Sequence, residues 1–543
     1  MQRSRPHPAP VPAPPLRRTA RRAVALVCAG LLALLCGCGK DAAGPDAQLL
    51  RLSQRNEPAT LDPQLATLPD EYFVLRALSE GLLVPNPAGG QPLPGAAETW
   101  SVSDGGRRYT FKLRATARWS NGEPVTAQDF IATFRRALTP ALGAPEARTF
   151  FVIRNAADFY RGKLSDFSSV GLSAPDPRTL VIDLEQPTPH LPALAASGPW
   201  LPVHSRTLER FGGLTARDAA WARPGHFVGN GPFILREWRA NQHLLVTPNP
   251  HYHAAARVRV AGIRFQIYDH GDTEERAFRA GLVDVTMAVP FTKLDNYEPP
   301  IRQRQLLHET RYFALNTTRP PLNDARVRRA LALAIDRTRL VENVLRGGHQ
   351  VALSFIPPGL GGYQSEARLA PDAATARALL AEAGFPGGKD FPRLELTTWV
   401  NTPVLEAVQQ MWRRELGIET AIVQREGKVH MAALRSADFD VAFTPAIPGY
   451  DDVAALFEEF IDEAGNYGRW QNSAFDALVR EAGHTFDSDR RTTLYHQAEA
   501  ILLEDAALVP LYFNAQNFLI APRVHGWQTD ALWNRFYLDV SLE

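Results

Sequence analysis

All three cysteines of this 543-residue chain, Cys28, Cys36 and Cys38, lie within its first 38 residues. The rest of the chain can therefore form no disulfide, no cysteine metal site and no thiolate nucleophile. Its length exceeds the roughly 250–300 residues at which single hydrophobic cores stop growing. We therefore expect two or three folded lobes, each stabilised by its own apolar core.

The N-terminal segment has the order of parts that a bacterial export signal requires. Four arginines at positions 17–22 precede an apolar run over residues 23–35, which is shorter than the ~18–20 residues of a membrane-spanning helix. Leu35, Gly37 and Cys38 resemble the lipobox, in which the cysteine is acylated. We expect residues 1–37 to be a lipoprotein signal peptide, Cys38 to be the lipid anchor and residues 38–48 to be a tether. The alternative is an uncleaved apolar N-terminus.

The signal peptide also dominates the charge balance. Its removal takes away six arginines and no acid, which leaves 53 basic and 58 acidic residues from the 59 and 58 of the whole chain. A nucleic acid or another polyanion is therefore not an expected partner. Gly39 follows Cys38, whereas the inner-membrane retention signal of lipoproteins has an aspartate there. The expected location is the periplasmic side of the cell envelope. The membrane that holds the anchor is not fixed by the sequence, and the outer membrane is one candidate.

The hydrophobic pattern predicts an α/β protein in which strands alternate with helices. Residues 49–54, 109–113 and 179–184 alternate like strands, and residues 73–83 and 126–137 have helical spacing. Two helix starts carry capping signals. Thr126 has Asp129 three residues later, and Asn323-Asp324 precedes the apolar stripe that begins at Val327.

Catalytic and metal-binding motifs are missing from the sequence. We find no nucleophile elbow, no H-E-x-x-H and no phosphate-binding glycine loop. His251 and His253 could offer two imidazoles to a metal, but no third ligand is evident. Asp269, His270 and Asp272 form a polar cluster that is more typical of a solvated turn than of an acid–base site. We therefore expect no enzyme activity, no metal and no cofactor.

Several stretches stand in an order that is specific to one protein family. The most specific are residues 95–100 (GAAETW), 109–114 (YTFKLR), 117–122 (ARWSNG) and 124–130 (PVTAQDF). Supporting stretches are residues 57–63 (EPATLDP), 229–233 (GNGPF), 248–252 (PNPHY), 313–316 (FALN), 327–331 (VRRAL) and 509–512 (VPLY). The chain resembles the family 5 extracytoplasmic solute-binding proteins, the oligopeptide- and dipeptide-binding lipoproteins of ABC importers.

This resemblance implies a periplasmic-binding-protein type II fold, with two lobes joined at a hinge, a third extra lobe and a ligand cleft between lobes. Lobe I would contain residues 49–82, 206–268 and 514–543. Lobe II, the extra lobe, would contain residues 83–205, and lobe III residues 269–513. The protein would be a monomer that delivers its ligand to permease subunits driven by ATPases.

The resemblance also implies ligand-binding positions, and the chain departs from the family at several of them. An aspartate that pairs with the peptide α-amino group falls at Gly449, and a neighbouring tryptophan falls at Ala446. A second pocket tryptophan falls at Gly427, and a tyrosine from the extra lobe falls at Glu146. These losses widen the pocket and remove stacking surface, which keeps a bulkier or non-peptide ligand open.

A buried ammonium needs a carboxylate partner, because an unpaired charge in a closed cleft costs several kcal/mol. The candidates for this role are Asp451 and Asp452 in the loop that contains Tyr450, and Asp70 and Glu146 on the opposite walls. Further wall candidates, taken from matching stretches, are Asn230, Tyr512 and Asn514. We expect a receptor for short peptides. The alternatives are a receptor for a non-peptide solute and an envelope scaffold or hydrolase that retains the fold.

Overall fold

The computed structural model describes residue 9 and residues 48–217, 220–461 and 465–543. The predicted lipid anchor Cys38, the predicted signal peptide apart from residue 9 and the predicted tether apart from Gln48 lie outside the described residues. Residues 50–543 form one compact unit, which holds the site considered below. None of the described helices combines the length and the apolar character that a membrane crossing requires.

Three large sheets organise the described chain. One has four strands in the spatial order Leu49–Gln54, Gly262–Ile267, His243–Pro248 and Phe233–Arg239. A second, antiparallel throughout, has the order Ala97–Ser103, Arg108–Leu113, Thr179–Asp183 and Leu172–Asp176. The third is mixed, with the order Gln350–Val351, Leu508–Leu519, Arg302–Leu315, Val441–Ala446, Leu394–Thr398 and Thr420–Gln424.

Shorter strands and the helices complete the architecture. The two-stranded pairs are Leu83–Val84 with Leu93–Pro94, Val524–His525 with Ser541–Leu542, and Gln528–Thr529 with Arg535–Phe536. The α-helices are Pro69–Leu78, Ala127–Leu138, Ala156–Tyr160, Leu191–Ala195, Ser205–Arg210, Gly271–Arg279, Ala325–Leu333, Arg337–Arg339, Ala373–Glu382, Pro403–Leu416, Gly427–Ser436, Ala454–Ile461, Ser473–His484 and Ser488–Glu504. A π-helical segment covers Leu340–Leu345.

Each large sheet packs against its own apolar core. We name the regions around these cores by their buried residues: the first region lies within 50–78, 201–287 and 518–540, the second within 82–200, and the third within 312–512. Tyr450 and Ala454 belong to the third region in sequence but pack into the apolar core of the second. This contact fixes the loop before the helix Ala454–Ile461 against the second region.

The strand predictions are confirmed within one residue at each end, as Leu49–Gln54, Arg108–Leu113 and Thr179–Asp183. The second predicted helix is confirmed as Ala127–Leu138, and Thr126 and Asp129 form the capping box that the sequence indicates. Asp324 caps the helix Ala325–Leu333 by accepting a hydrogen bond from the Arg326 amide at 2.8 Å. These elements carry their own local signals, so neighbouring residues suffice to define them.

The helix expected over residues 73–83 is Pro69–Leu78, so its predicted end was wrong. The helix ends at Leu78 because residues 230 and 231 form hydrogen bonds with the backbone groups of Leu78 and Glu80. The Gly231 amide donates to the Leu78 carbonyl at 2.9 Å. The side chain of Asn230 accepts from the Glu80 amide at 2.9 Å and donates to the Glu80 carbonyl at 2.8 Å. These partners lie about 150 residues along the chain, where a local helical pattern cannot register them.

Replacing Asn230 with alanine is expected to lower the free energy of unfolding by about 2–3 kcal/mol, because the buried amide and carbonyl of Glu80 would each lose a partner. Asn230 is 3% exposed. Chemical denaturation measures this loss, and a peptide titration of the same variant reports ligand affinity. Unchanged stability together with a large loss of affinity would contradict a structural role for this side chain.

Candidate functional site

A cavity of about 770 Å³ lies where the three regions meet. Its walls come from six segments and three further residues. They are the segments 67–76, 85–92, 146–152, 190–199, 447–459 and 529–534, with Gln305, His308 and Gly359. The cavity has the size of a small-molecule or peptide pocket, for which 300–1,000 Å³ is typical.

Four of the residues proposed from sequence line this cavity: Glu146, Gly449, Tyr450 and Asp451. The others lie elsewhere. Ala446 ends the strand Val441–Ala446 and is buried, directly before the lining residue Ile447. The loop proposed from sequence therefore lies at the cavity, and its side chains divide between the cavity and the protein interior.

The remaining proposed residues outside this cavity have partners in the fold. Asp70 is 8% exposed and accepts a hydrogen bond from Asn56 at 2.9 Å. Tyr512 is buried in the strand Leu508–Leu519, with its ring edge-on to His349 at 5.2 Å. Asn514 lies in the same strand and accepts a hydrogen bond from the Ala515 amide at 3.0 Å.

Asp451 joins two loops across the cavity wall. Its Oδ1 accepts a hydrogen bond from the Gly361 amide at 2.8 Å, and its Oδ2 accepts one from the Gly90 amide at 3.1 Å. Gly90 belongs to the second region and Gly361 to the third. Both carboxylate oxygens are thus engaged by backbone amides, which satisfies the charge without a ligand.

Asp452 points away from this cavity and into an ion pair. Its two oxygens accept hydrogen bonds from Arg491 at 2.7 and 2.9 Å, and the side chains are 11% and 17% exposed. Burial alone would raise the pKa of Asp452, but the charge and hydrogen bonds of Arg491 hold it below its usual value. The carboxylate therefore already has its cation.

Gly449 leaves open space at the position where the resemblance implies an aspartate. A Cβ atom built on Gly449 meets no atom within 4 Å, and the residue lines the cavity. Gly427, where a tryptophan was implied, is the first residue of the helix Gly427–Ser436 and does not line this cavity. An aromatic wall residue that the sequence reading missed is Trp533, half-buried at the cavity.

Three further carboxyl groups, those of Glu458, Glu459 and Asp530, line the cavity and were not proposed from sequence. The Asp530 oxygens accept hydrogen bonds from the Leu532 and Asn534 amides and from the Asn534 side chain. Glu458 and Glu459 lie on the helix Ala454–Ile461 and face the same guanidinium, Arg148, as Glu146 does. We call Glu146, Glu458 and Glu459 the acidic wall. A sequence signal for it existed, because these two adjacent acids interrupt the otherwise apolar run AALFEEFI.

The surroundings of the acidic wall disfavour the ionised form of its three carboxyl groups. Burial raises the pKa of Glu459 to about 8, with Arg148 opposing the shift and Glu146 adding to it. Burial and then the charge of Asp452 raise the pKa of Glu458, although 48% of its side chain stays accessible and cavity water screens part of this effect. Burial also raises the pKa of Glu146. A cation in the cavity would reverse these shifts.

His190 separates this cavity from a second one of about 470 Å³ and lines both. It is 5% exposed, and its ring stacks on Tyr450 with centroids 5.8 Å apart and planes at 11°. Neither ring nitrogen has a hydrogen-bond partner within the described part of the chain, and Nε2 lies 4.0 Å from Oε1 of Glu458. Burial lowers the pKa of His190 to about 4, so the ring is neutral near pH 7.

The histidine pair considered for a metal has a structural role. His253 Nε2 lies 2.9 Å from a Glu80 carboxylate oxygen, and the Tyr252 hydroxyl donates to Glu80 at 2.6 Å. Asp269 and His270 are exposed in the turn before the helix Gly271–Arg279. Across the described residues, no group of three or more histidine, cysteine, aspartate or glutamate side chains is arranged to hold a metal ion.

Comparisons with known proteins agree on one family. The family model described as bacterial extracellular solute-binding proteins, family 5 middle, matches residues 91–468. The probable deoxycholate-binding periplasmic protein YgiS of Escherichia coli (strain K12) is 32% identical over 500 residues, which cover 88% of this chain and 90% of YgiS. The periplasmic murein peptide-binding protein MppA of the same strain is 31% identical over 536 residues, which cover 93% and 96%.

The solved structures include close matches to the fold. The crystal structure of Haemophilus influenzae OppA in complex with the peptide RPPGFSPFR has a TM-score of 0.78 and 26% sequence identity, and the match covers 92% of this chain and 99% of that one. By their names, these relatives are binding proteins rather than enzymes. The chain therefore belongs to the bacterial extracellular solute-binding proteins of family 5 and has their mixed α/β periplasmic-binding-protein fold.

Proposed function

We propose that this protein is a lipid-anchored, non-enzymatic receptor that binds short peptides and delivers them to the permease of an ABC importer. The observation that carries the proposal is the cavity of about 770 Å³, on which segments from all three regions converge. MppA and the OppA of Haemophilus influenzae, which support a peptide ligand, are named or crystallised as peptide-binding proteins.

We assign lobe I to residues 49–82, 206–268 and 514–543, lobe II to 83–205 and lobe III to 269–513, with the cavity as the cleft between them. Closure of the lobes around a ligand is a hinge motion. The hydrogen bonds from Gly90 and Gly361 to Asp451 support this assignment, because they link lobes II and III at the cavity. Tyr450 packed in the apolar core of lobe II adds a second link.

A non-peptide solute is the second candidate, and the 32% identity to YgiS favours it. Deoxycholate carries a carboxylate, which the acidic wall would repel unless its own groups were protonated. An envelope scaffold or hydrolase is the third candidate. Ser197, Thr149 and Thr529 line the cavity, and their hydroxyl groups donate hydrogen bonds to carbonyl oxygens and not to a histidine, which favours a receptor over a hydrolase.

The proposal is tested by isothermal titration calorimetry on the full-length protein in mild detergent. The titrants are a mixed-sequence pool of peptides with two to six residues and, separately, sodium deoxycholate. We expect saturable binding from the peptide pool. Binding of deoxycholate without binding of peptides would move the assignment to the second candidate, and binding of neither titrant would overturn an uptake role.

Replacing Cys38 with alanine is expected to move the protein out of the membrane fraction, or to leave its N-terminal segment uncleaved. The reason is that acylation of this cysteine would supply the apolar chains that hold the protein on the bilayer. Fractionation, with intact-mass measurement of the N-terminal peptide, checks this. Normal processing together with continued membrane attachment would contradict the lipoprotein assignment.

A further inference from the structure

We propose that the acidic wall, formed by Glu146, Glu458 and Glu459, binds the ammonium group of the ligand, and that the neighbouring His190 forms a hydrogen bond with the same ligand. This inference rests on the proposed function and sharpens it. The substrate class becomes solutes with a free primary ammonium, such as peptides with an unmodified N-terminus. The ammonium would sit at the helix Ala454–Ile461 instead of at position 449.

The other carboxylates near the cavity loop already have partners within the protein. Asp452 is paired with Arg491, and both oxygens of Asp451 are engaged by backbone amides. Position 449 is a glycine and offers no carboxylate. Asp530 accepts three hydrogen bonds from Leu532 and Asn534. The acidic wall is what remains among the described lining residues for a positively charged ligand group.

The acidic wall carries excess negative charge when it is ionised. Arg148 is the guanidinium that acts on all three of its carboxyl groups, and Arg491, which also acts on Glu458, is already paired with Asp452. Burial disfavours the ionised form of these carboxyl groups, and the charges of Glu146 and Glu459 repel each other. A cation beside them reduces both costs. A ligand ammonium supplies that cation and donates up to three hydrogen bonds, as a lysine ammonium does.

His190 points to a polar ligand group independently of the acidic wall. His190 is 95% removed from solvent, lines the cavity, and has no hydrogen-bond partner for either ring nitrogen among the residues that the structure describes. Burying such a group without a hydrogen-bond partner is unfavourable, so a ligand group that pairs with it gains affinity. A neutral imidazole can accept a hydrogen bond from an ammonium or donate one to a peptide carbonyl. Stacking on Tyr450 holds the ring in place, 4.0 Å from Glu458.

The experiment compares two probes on the full-length protein by isothermal titration calorimetry. One probe is a pool of peptides with two to six alanine residues, and the other is the same pool with acetylated N-termini. The test variant is Glu458→Gln/Glu459→Gln, and the matched control is Glu406→Gln, an exposed glutamate on the helix Pro403–Leu416. Circular dichroism confirms the folded state of each variant.

We expect the wild-type protein to bind the free-amine pool at least about 30-fold more tightly than the acetylated pool, because an acetyl cap removes the charged partner. The double variant should lose most of this preference while its affinity for the acetylated pool stays the same, and Glu406→Gln should behave like the wild type. His190→Ala should weaken binding of both pools, and His190→Asn, which keeps a donor and an acceptor, should restore part of it.

The outcomes separate this inference from the proposed function. Equal binding of the two pools by the wild type overturns the inference, and so does an unchanged preference in a folded double variant, while the peptide receptor stands in both cases. Binding of neither pool by the wild type overturns both. If the double variant does not fold, the single variants Glu458→Gln and Glu459→Gln, each measured with both pools, decide by the same criteria.

Discussion

Replacing Asp452 with alanine is expected to lower the free energy of unfolding by about 3–5 kcal/mol, the usual cost of breaking a buried ion pair. Asp452 accepts hydrogen bonds from Arg491 at 2.7 and 2.9 Å and from the Ala454 amide at 2.9 Å. The variant leaves the Arg491 guanidinium inside the protein without a carboxylate. It also removes a hydrogen bond at the start of the helix that carries Glu458 and Glu459. Chemical denaturation followed by circular dichroism measures the loss.

The neighbouring residue Arg490 provides a matched control. It pairs with Glu481 at the surface, where the two side chains are 67% and 46% exposed. Exposed pairs contribute about 0–1 kcal/mol, so Arg490→Ala should change the free energy of unfolding by no more than that. Equal losses in Asp452→Ala and Arg490→Ala would contradict the structural role that we give to the Asp452–Arg491 pair.

Affinity for free-amine peptides is expected to fall as the pH decreases from 7.5 to 5.5. A carboxyl group binds an ammonium in its ionised form, and burial raises the pKa of Glu459 to about 8 in the ligand-free protein. The charged or titratable groups that face Glu459 are Glu146, Arg148, Tyr312 and Tyr467, with Glu458 beside it on the helix. Below its pKa, Glu459 must therefore lose a proton for the ammonium to bind.

The size of this effect follows from proton linkage. A carboxyl group that must be ionised for binding lowers the affinity by up to tenfold for each pH unit below its pKa. We expect a total loss of at least about tenfold over the two pH units. The peptide α-amino group has a pKa of about 7.7–8.0, so it is already more than half protonated at pH 7.5 and its own titration changes the affinity by less than about twofold over this range. Glu459→Gln should flatten the profile, measured by calorimetry at several pH values. An affinity that is constant from pH 7.5 to 5.5 in the wild type would contradict the role of this carboxyl group.

Much of the fold was predictable because its signals are local. The strand Leu49–Gln54 and the capping box of Thr126 and Asp129 arise from residues within a few positions of each other. The end of the helix Pro69–Leu78 was not predictable in this way, because Asn230 and Gly231 decide it from a distant part of the chain. At this position, hydrogen bonds with residues distant in sequence determine the structure more strongly than local helix propensity does.

The candidate site was predictable to the level of its loop and not to the level of its side chains. Resemblance pointed to residues 446–452, and Gly449, Tyr450 and Asp451 do line the cavity. An acid in that loop can point into the cavity or pair with an arginine. Asp452 pairs with Arg491, and no local sequence pattern predicts the position of Arg491. The acidic wall and His190 come from three segments far apart in sequence, so the tertiary fold alone brings them together.

The central claim is that this receptor carries short peptides in its cavity, and native mass spectrometry of the full-length protein tests it most directly. The protein is purified without refolding, measured intact, and then denatured so that any co-purified ligand can be sequenced. We predict a set of short peptides with free N-termini, bound at one per chain. A single non-peptide mass in their place would contradict the account.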